Sequence, residues 1–132
     1  MKRLAYILSI LGLLFTFSHN VNATRQVRDI IMIDKVEHRL NKVLLYQLDS
    51  VTYDALGKKL DFSKSSFSGC WRGHISTFEV KGNKLYLNCI ATSKVHTDFK
   101  GMLDQYKDRK GRVFASWVSD TLLCGTGDCI YV

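Results

Sequence analysis

The chain has no proline, no low-complexity stretch and no internal repeat, so nothing in it marks a linker or a second domain. It lacks an apolar run of the roughly 20 residues needed to cross a hydrocarbon core. It lacks the His-Glu-x-x-His pattern of a helical metal site, and the glycines between Cys124 and Cys129 do not end in the Gly-Lys-Ser/Thr that cradles phosphate. No Gly-x-Ser-x-Gly elbow presents a nucleophile. Acidic residues are dispersed, so no pair stands out as glycosidase carboxylates. No catalytic residue, metal ligand or cofactor is therefore assigned.

What is present first is an address. Lys2 and Arg3 form a positive n-region, Leu4 to Phe17 an apolar h-region, and Val21-Asn22-Ala23 a stretch suited to cleavage, the arrangement of a secretory signal peptide. No cysteine at that point could take a lipid. The expectation is an exported protein, periplasmic or extracellular, without a stable membrane anchor, with an uncleaved N-terminal anchor as the weaker alternative. Removing the first 23 of 132 residues leaves 109, read as a single β-rich domain spanning 24–132. Its 17 basic and 12 acidic residues give a net charge of +5. The basic residues are scattered, dense only at Lys58-Lys59 and Lys107 to Arg112, which favours solvated loops and predicts no nucleic-acid partner.

All four cysteines, Cys70, Cys89, Cys124 and Cys129, follow the signal segment, and export would place them where disulfides persist. Four cysteines allow three pairings. The short, glycine-rich run Cys124-Gly125-Thr126-Gly127-Asp128-Cys129 favours a local bridge, leaving Cys70 with Cys89 by elimination. On a chain-entropy model the small loop adds about 2 kcal/mol and the larger about 3. Metal ligation is weaker, since only His74 and His96 lie near the widely spaced Cys70 and Cys89.

Strand patterns dominate. Asp29 to Leu40 reads as an opening hairpin, turning at Asp34-Lys35. Leu44, Leu48, Val51 and Ala55 recur at helical spacing before Gly57, so Val43 to Leu56 reads as a helix with a glycine stop, opposed by β-propensity at Val51, Thr52 and Tyr53. Ser63 to Gly69 reads as a loop delivering the chain to Cys70. Between Gly73 and Ala91, two alternating segments flank Gly82-Asn83, a pair suited to a tight turn. Pairing Lys81 with Lys84 sets Val80 opposite Leu85, Phe78 opposite Leu87 and Ser76 opposite Cys89 on one apolar face. The other face then carries Ile75, Thr77, Glu79, Tyr86, Asn88 and Ile90. A last strand pair is expected from Val113 to Leu123 and Ile130 to Val132. The fold class is mainly β, with α+β as the alternative: a small antiparallel sheet, or a partly open barrel or sandwich, with at most one short helix.

The segment Trp71-Arg72-Gly73-His74-Ile75-Ser76-Thr77-Phe78-Glu79-Val80-Lys81, followed by Lys84-Leu85-Tyr86-Leu87, resembles a family of small, mostly secreted bacterial proteins of uncharacterised function. The likeness extends to Asp29-Ile30-Ile31-Met32-Ile33-Asp34 and Val113-Phe114-Ala115-Ser116-Trp117-Val118-Ser119. It implies no activity. Family chains usually carry tyrosine where His74 stands and tryptophan where Phe78 stands, which argues against a shared catalytic role for His74. They also continue with further strands beyond the equivalent of Val132, which implies that this chain is C-terminally shortened.

His96 lies two residues from Asp98, an acid able to orient an imidazole, but no nucleophile context accompanies them. Trp71 and Arg72 are the stronger candidates for an interface, because tryptophan and arginine combine apolar area with directed hydrogen bonds. Packing remains the leading reading for Trp71 and more so for Trp117. Arg72 fits a core poorly; it would stack on an aromatic such as Tyr86 or present its fork to a carboxylate. The binding candidates are thus Trp71, Arg72 and Tyr86. The expectation is an exported, non-enzymatic binding module, whether inhibitor, immunity-type protector or envelope accessory, whose partner is a protein or envelope glycan. The alternatives are a small hydrolase using His96 and Asp98, and a truncated family member without independent activity.

Overall fold

A computed structural model describes residues 26–119 together with Leu122. The signal segment, Cys124, Cys129 and the expected strand Ile130 to Val132 lie outside the described residues. Strand outweighs helix, 32% against 22%, so the class is mainly β, and the sheet does not close into a barrel.

The opening hairpin forms as the pattern predicts. Strands β1 (Ile30–Ile33) and β2 (Val36–Arg39) pair antiparallel from Ile30 with Arg39 to Ile33 with Val36. Asp34 and Lys35 turn the chain with φ of 51° and 65°, the twist that matches flanking strands. A second hairpin joins β3 (Ile75–Lys81) to β4 (Lys84–Ala91) through Gly82-Asn83, at φ of 56° and 62°.

Its register follows the alternation from the turn as far as Phe78 with Leu87, then slips. Asn88 is an extra residue, so Thr77 pairs with Cys89 and Ser76 with Ile90, in place of the expected pairing of Ser76 with Cys89. A β-bulge of this kind moves every later side chain to the other face. It sends Ile90 into the core at 0% exposure and leaves Cys89 only half-buried.

The sheet order is β2-β1-β3-β4-β5, with β5 (Val95–His96) pairing the end of β4 and β6 (Val113–Phe114) pairing its middle. β1 runs parallel to β3, Ile31 beside Phe78, so the sheet is mixed and not wholly antiparallel. A parallel neighbour requires a crossover, and the chain between β2 and β3 supplies it. The helix there differs from the pattern in two ways. Leu44–Gln47 forms a 3-10 turn, and extended backbone at Leu48 and Asp49 separates it from α1 (Ser50–Leu60). Asp49 caps α1, its carboxylate accepting from the Thr52 amide at 2.9 Å and the Thr52 hydroxyl at 2.6 Å. Gly57 does not stop the helix. It lies inside it, where a Cβ would come within 3.0 Å of the Phe62 ring.

The core fills one face of the sheet. Ile31, Phe78, Leu87, Ile90 and Val113 meet Leu44, Leu45, Leu56, Leu60 and Phe62 from the crossover. After β6 the chain turns at Ser116-Trp117, so among the described residues the strand expected from Val113 ends at Phe114. The turn lets the Trp117 indole donate to the Leu44 carbonyl at 3.0 Å and pack on Phe78 and Tyr106, the structural role expected of it.

Candidate functional site

Two features meet where the crossover returns to β3: an exposed aromatic turn, and beneath it a buried polar cluster. Phe67 and Cys70 bond each other's backbones in both directions, at 3.2 and 2.9 Å, closing a four-residue turn. The segment before β1 clamps that turn. Val27 N–H donates to the Gly69 carbonyl at 2.7 Å, the Gln26 amide donates to the Ser68 carbonyl at 2.9 Å, and the Trp71 N–H donates to Gln26 Oε1 at 2.8 Å. Ser66 Oγ donates to the Trp71 carbonyl at 2.9 Å. The backbone of Trp71 is thus held from both sides while the residue stands 72% exposed, and Phe67, four residues earlier at the start of the turn, is 55% exposed.

Arg72 turns the other way. Its Nη2 donates to Asp29 Oδ1 at 2.8 Å, with the side chains only 7% and 0% exposed. The Ser76 amide donates to the same oxygen at 2.9 Å. Burial pushes the Asp29 carboxyl above its ordinary range, and the Arg72 charge and the two hydrogen bonds pull it back part of the way. Among the described residues no protein group partners Asp29 Oδ2 or Arg72 Nε, and each such orphan costs about 1–3 kcal/mol.

His74, with no exposure at all, completes the cluster. Its Nε2 lies 2.9 Å from the Tyr53 hydroxyl, and the Phe62 ring packs at 4.3 Å between centroids. Burial, then the Arg72 charge, lowers its pKa to about 4 from 6.5, while burial is the main cause that pushes Tyr53 up to about 12. The unfolded chain takes up a proton near pH 6.5 that the folded chain refuses until about 4, so this stability is present above 6.5 and lost as pH falls. A shift of that size is worth up to about 3 kcal/mol. Asp29 opposes it: its raised pKa makes the folded chain the better proton acceptor just above 3.8, returning part of the loss there. Urea midpoints taken from pH 7 to 4 should fall for the parent chain and flatten for His74→Gln; an unchanged slope in the variant would remove His74 from the account.

The three binding candidates are not brought together. Tyr86 is buried and pairs with Glu79 toward the turn end of the hairpin, whereas Arg72 precedes the opposite end of β3. The arginine that stacks on Tyr86 is Arg112, 4.5 Å from the ring centroid and also bonded to Asp108 at 2.8 Å. Lys107, in the same basic stretch, bonds the Phe99 carbonyl at 2.6 Å, so these cations serve local structure. His96 bonds Thr92 at 3.1 Å and Asp98 caps the Lys100 amide at 3.1 Å; neither contact is with the other.

The expected Cys70–Cys89 bridge is not formed: both are free thiols. The Cys70 Sγ points to the His74 carbonyl at 3.4 Å, and the bulge carries Cys89 onto the face with Thr77. Burial raises the Cys89 thiol above its usual range, which makes it a poor nucleophile. Among the described residues no group of three or more His, Cys, Asp or Glu could hold a metal ion.

Asp29, Tyr53 and Ser76 escape a reading of pattern alone. An aspartate at the head of the apolar run Ile30 to Ile33, together with an arginine that fits no core, is the available signal for the first of them. No family model, curated protein or solved structure matches the chain.

Proposed function

We propose that the protein is an exported, non-enzymatic domain that binds another protein or an envelope glycan through the surface around Trp71. The exposed indole on a clamped backbone carries this reading. A tryptophan can bury about 150–250 Å², and one left mostly in water on a pre-ordered turn enters a complex with little backbone entropy to lose. Tryptophan is also enriched among the residues that dominate interface energies. Phe67 widens the apolar surface, and the Asp29–Arg72 pair fixes the turn from below. The signal-like N-terminus supports export. The placement of the histidines supports binding over hydrolysis, since His74 is sealed in the core and His96 bonds a threonine on its own hairpin.

The test is affinity capture from the envelope and medium of the secreting cell, with the full-length protein and with Trp71→Ala plus Phe67→Ala. Because both side chains are exposed, the variant should keep its stability within about 0.5 kcal/mol. It should lose the captured partner at least tenfold. Equal capture by both, or no reproducible partner for the parent, contradicts the proposal.

A further inference from the structure

Strand β2 lies at the edge of the sheet, with β1 its only neighbour among the described residues. Backbone groups along an antiparallel strand point alternately toward and away from the partner. Leu40 N–H donates inward to the Asp29 carbonyl at 2.8 Å, and this fixes the phase. Val36, His38 and Leu40 direct their backbone groups toward β1, while Glu37 and Arg39 turn theirs outward. Such an open row is a template for another strand. The Glu37 and Arg39 side chains share the face away from the core, because His38 between them pairs with buried Ile31. They bond each other at 3.0 Å and stay largely in water, 51% and 38% exposed. Val36, at the start of the strand, is 46% exposed.

We infer that β2 pairs with β2 of a second copy of this chain, antiparallel about a two-fold axis at His38. Under such an axis one surface serves both copies. The pairing sets Glu37 opposite Arg39 of the second copy, and Arg39 opposite its Glu37. These are the outward-facing positions, so each pair exchanges both of its backbone hydrogen bonds, and opposite charges directly across a strand pair add to them. Val36 lies across from Leu40 of the second copy and loses water. Charge selects this register. An axis at residue 37 would set Glu37 against itself and one at residue 39 would set Arg39 against itself, like charges that destabilise a strand pair. An axis between residues would set outward groups against inward ones. A contact along a strand of 4 residues belongs with the weak associations, which bury under roughly 1,200 Å², so the dimer forms at high concentration. The inference does not require the Trp71 surface to bind anything.

Sedimentation velocity of the full chain over a rising concentration series tests it, with the parent, Glu37→Arg, Arg39→Glu, and an equimolar mixture of the two variants. The parent should self-associate, and its NMR shift changes between dilute and concentrated samples should centre on the Glu37 and Arg39 amides. Each variant alone places like charges in both pairs and should associate at least about tenfold more weakly. Both side chains are exposed, so each variant should keep the parent's fold, which circular dichroism checks. In the mixture the two strands carry opposite charges at both positions, every pair is again complementary, and association should return to the parent's level. The double variant, with the two charges exchanged in one chain, should recover it as well. Variants that associate as the parent does would place the contact on another surface and overturn the inference. A mixture no stronger than its components would also overturn it. So would a parent that stays monomeric throughout, and protection of its Glu37 and Arg39 amides from exchange would then mean that another segment of the same chain covers the edge.

Discussion

Gly73→Ala should cost at least about 4 kcal/mol, the range reserved for substitutions with a specific structural conflict. Gly73 has φ of +78°, and a Cβ there would stand 1.8 Å from the Phe62 carbonyl oxygen. The conformation alone costs an alanine about 1–2 kcal/mol. The contact adds far more, because the obstacle is backbone at the end of the crossover, pinned by Phe62 in the core. Gly82 provides the control: it too has positive φ, +56°, but a Cβ added there would meet no atom within 4 Å, so Gly82→Ala should lose only the conformational part. Urea unfolding of the two variants separates the terms. A Gly73→Ala loss within about 1 kcal/mol of the Gly82→Ala loss would mean that the chain does not pass so close to Phe62, and the clamped turn before it would lose its footing.

Asp29→Asn should destabilise by about 3–5 kcal/mol, because it leaves the Arg72 guanidinium charged and buried without its partner. Arg72→Met should cost a similar amount by stranding the Asp29 carboxylate. The double substitution should cost much less than the sum, since it removes both desolvated charges together. The exposed pair Glu37–Arg39, 3.0 Å apart with side chains 51% and 38% exposed, sets the contrast: Glu37→Gln should change stability by under about 1 kcal/mol. Thermal unfolding of the four variants measures the coupling. Additive losses, or a loss under about 1 kcal/mol for Asp29→Asn, would show that the pair is solvated and does not brace the turn.

Local chemistry is the legible part of this fold. Gly82-Asn83 and the alternation around it specify a hairpin and its register near the turn, and Asp34-Lys35 sits where the first hairpin reverses. What escapes is non-local. Asn88 is one polar residue in a strand that alternates on either side of it, and only the pairing of Ser76 with Ile90 reveals that it is extra. The parallel pairing of β1 with β3 depends on a crossover whose path no short pattern encodes. Gly57 resembles a helix stop, yet its neighbour in space, Phe62, explains why it is glycine.

The site divides along the same line. Arg72 is recognisable as a misfit for a core, and a carboxylate partner is one of two roles open to it. Which carboxylate depends on a contact 43 residues away in the chain. Tyr86 falls to a different arginine because Arg112 reaches it from the loop before β6. For Trp71 the sequence favours packing over anchoring, and only the backbone clamp by Gln26 and Ser66 explains how its side chain is held out in solvent.

Site-specific photo-cross-linking tests the central claim most directly. A benzoylphenylalanine placed at position 71 in the full chain, in the secreting cell, is compared with one at position 95. Val95 is as exposed, 71% against 72% for Trp71, but lies on β5 at the far edge of the sheet from β1 and β2. The account predicts a discrete cross-linked species from position 71 and none of that mass from position 95. Equal products from both positions, or none from position 71, would contradict a binding surface built on the Trp71 turn.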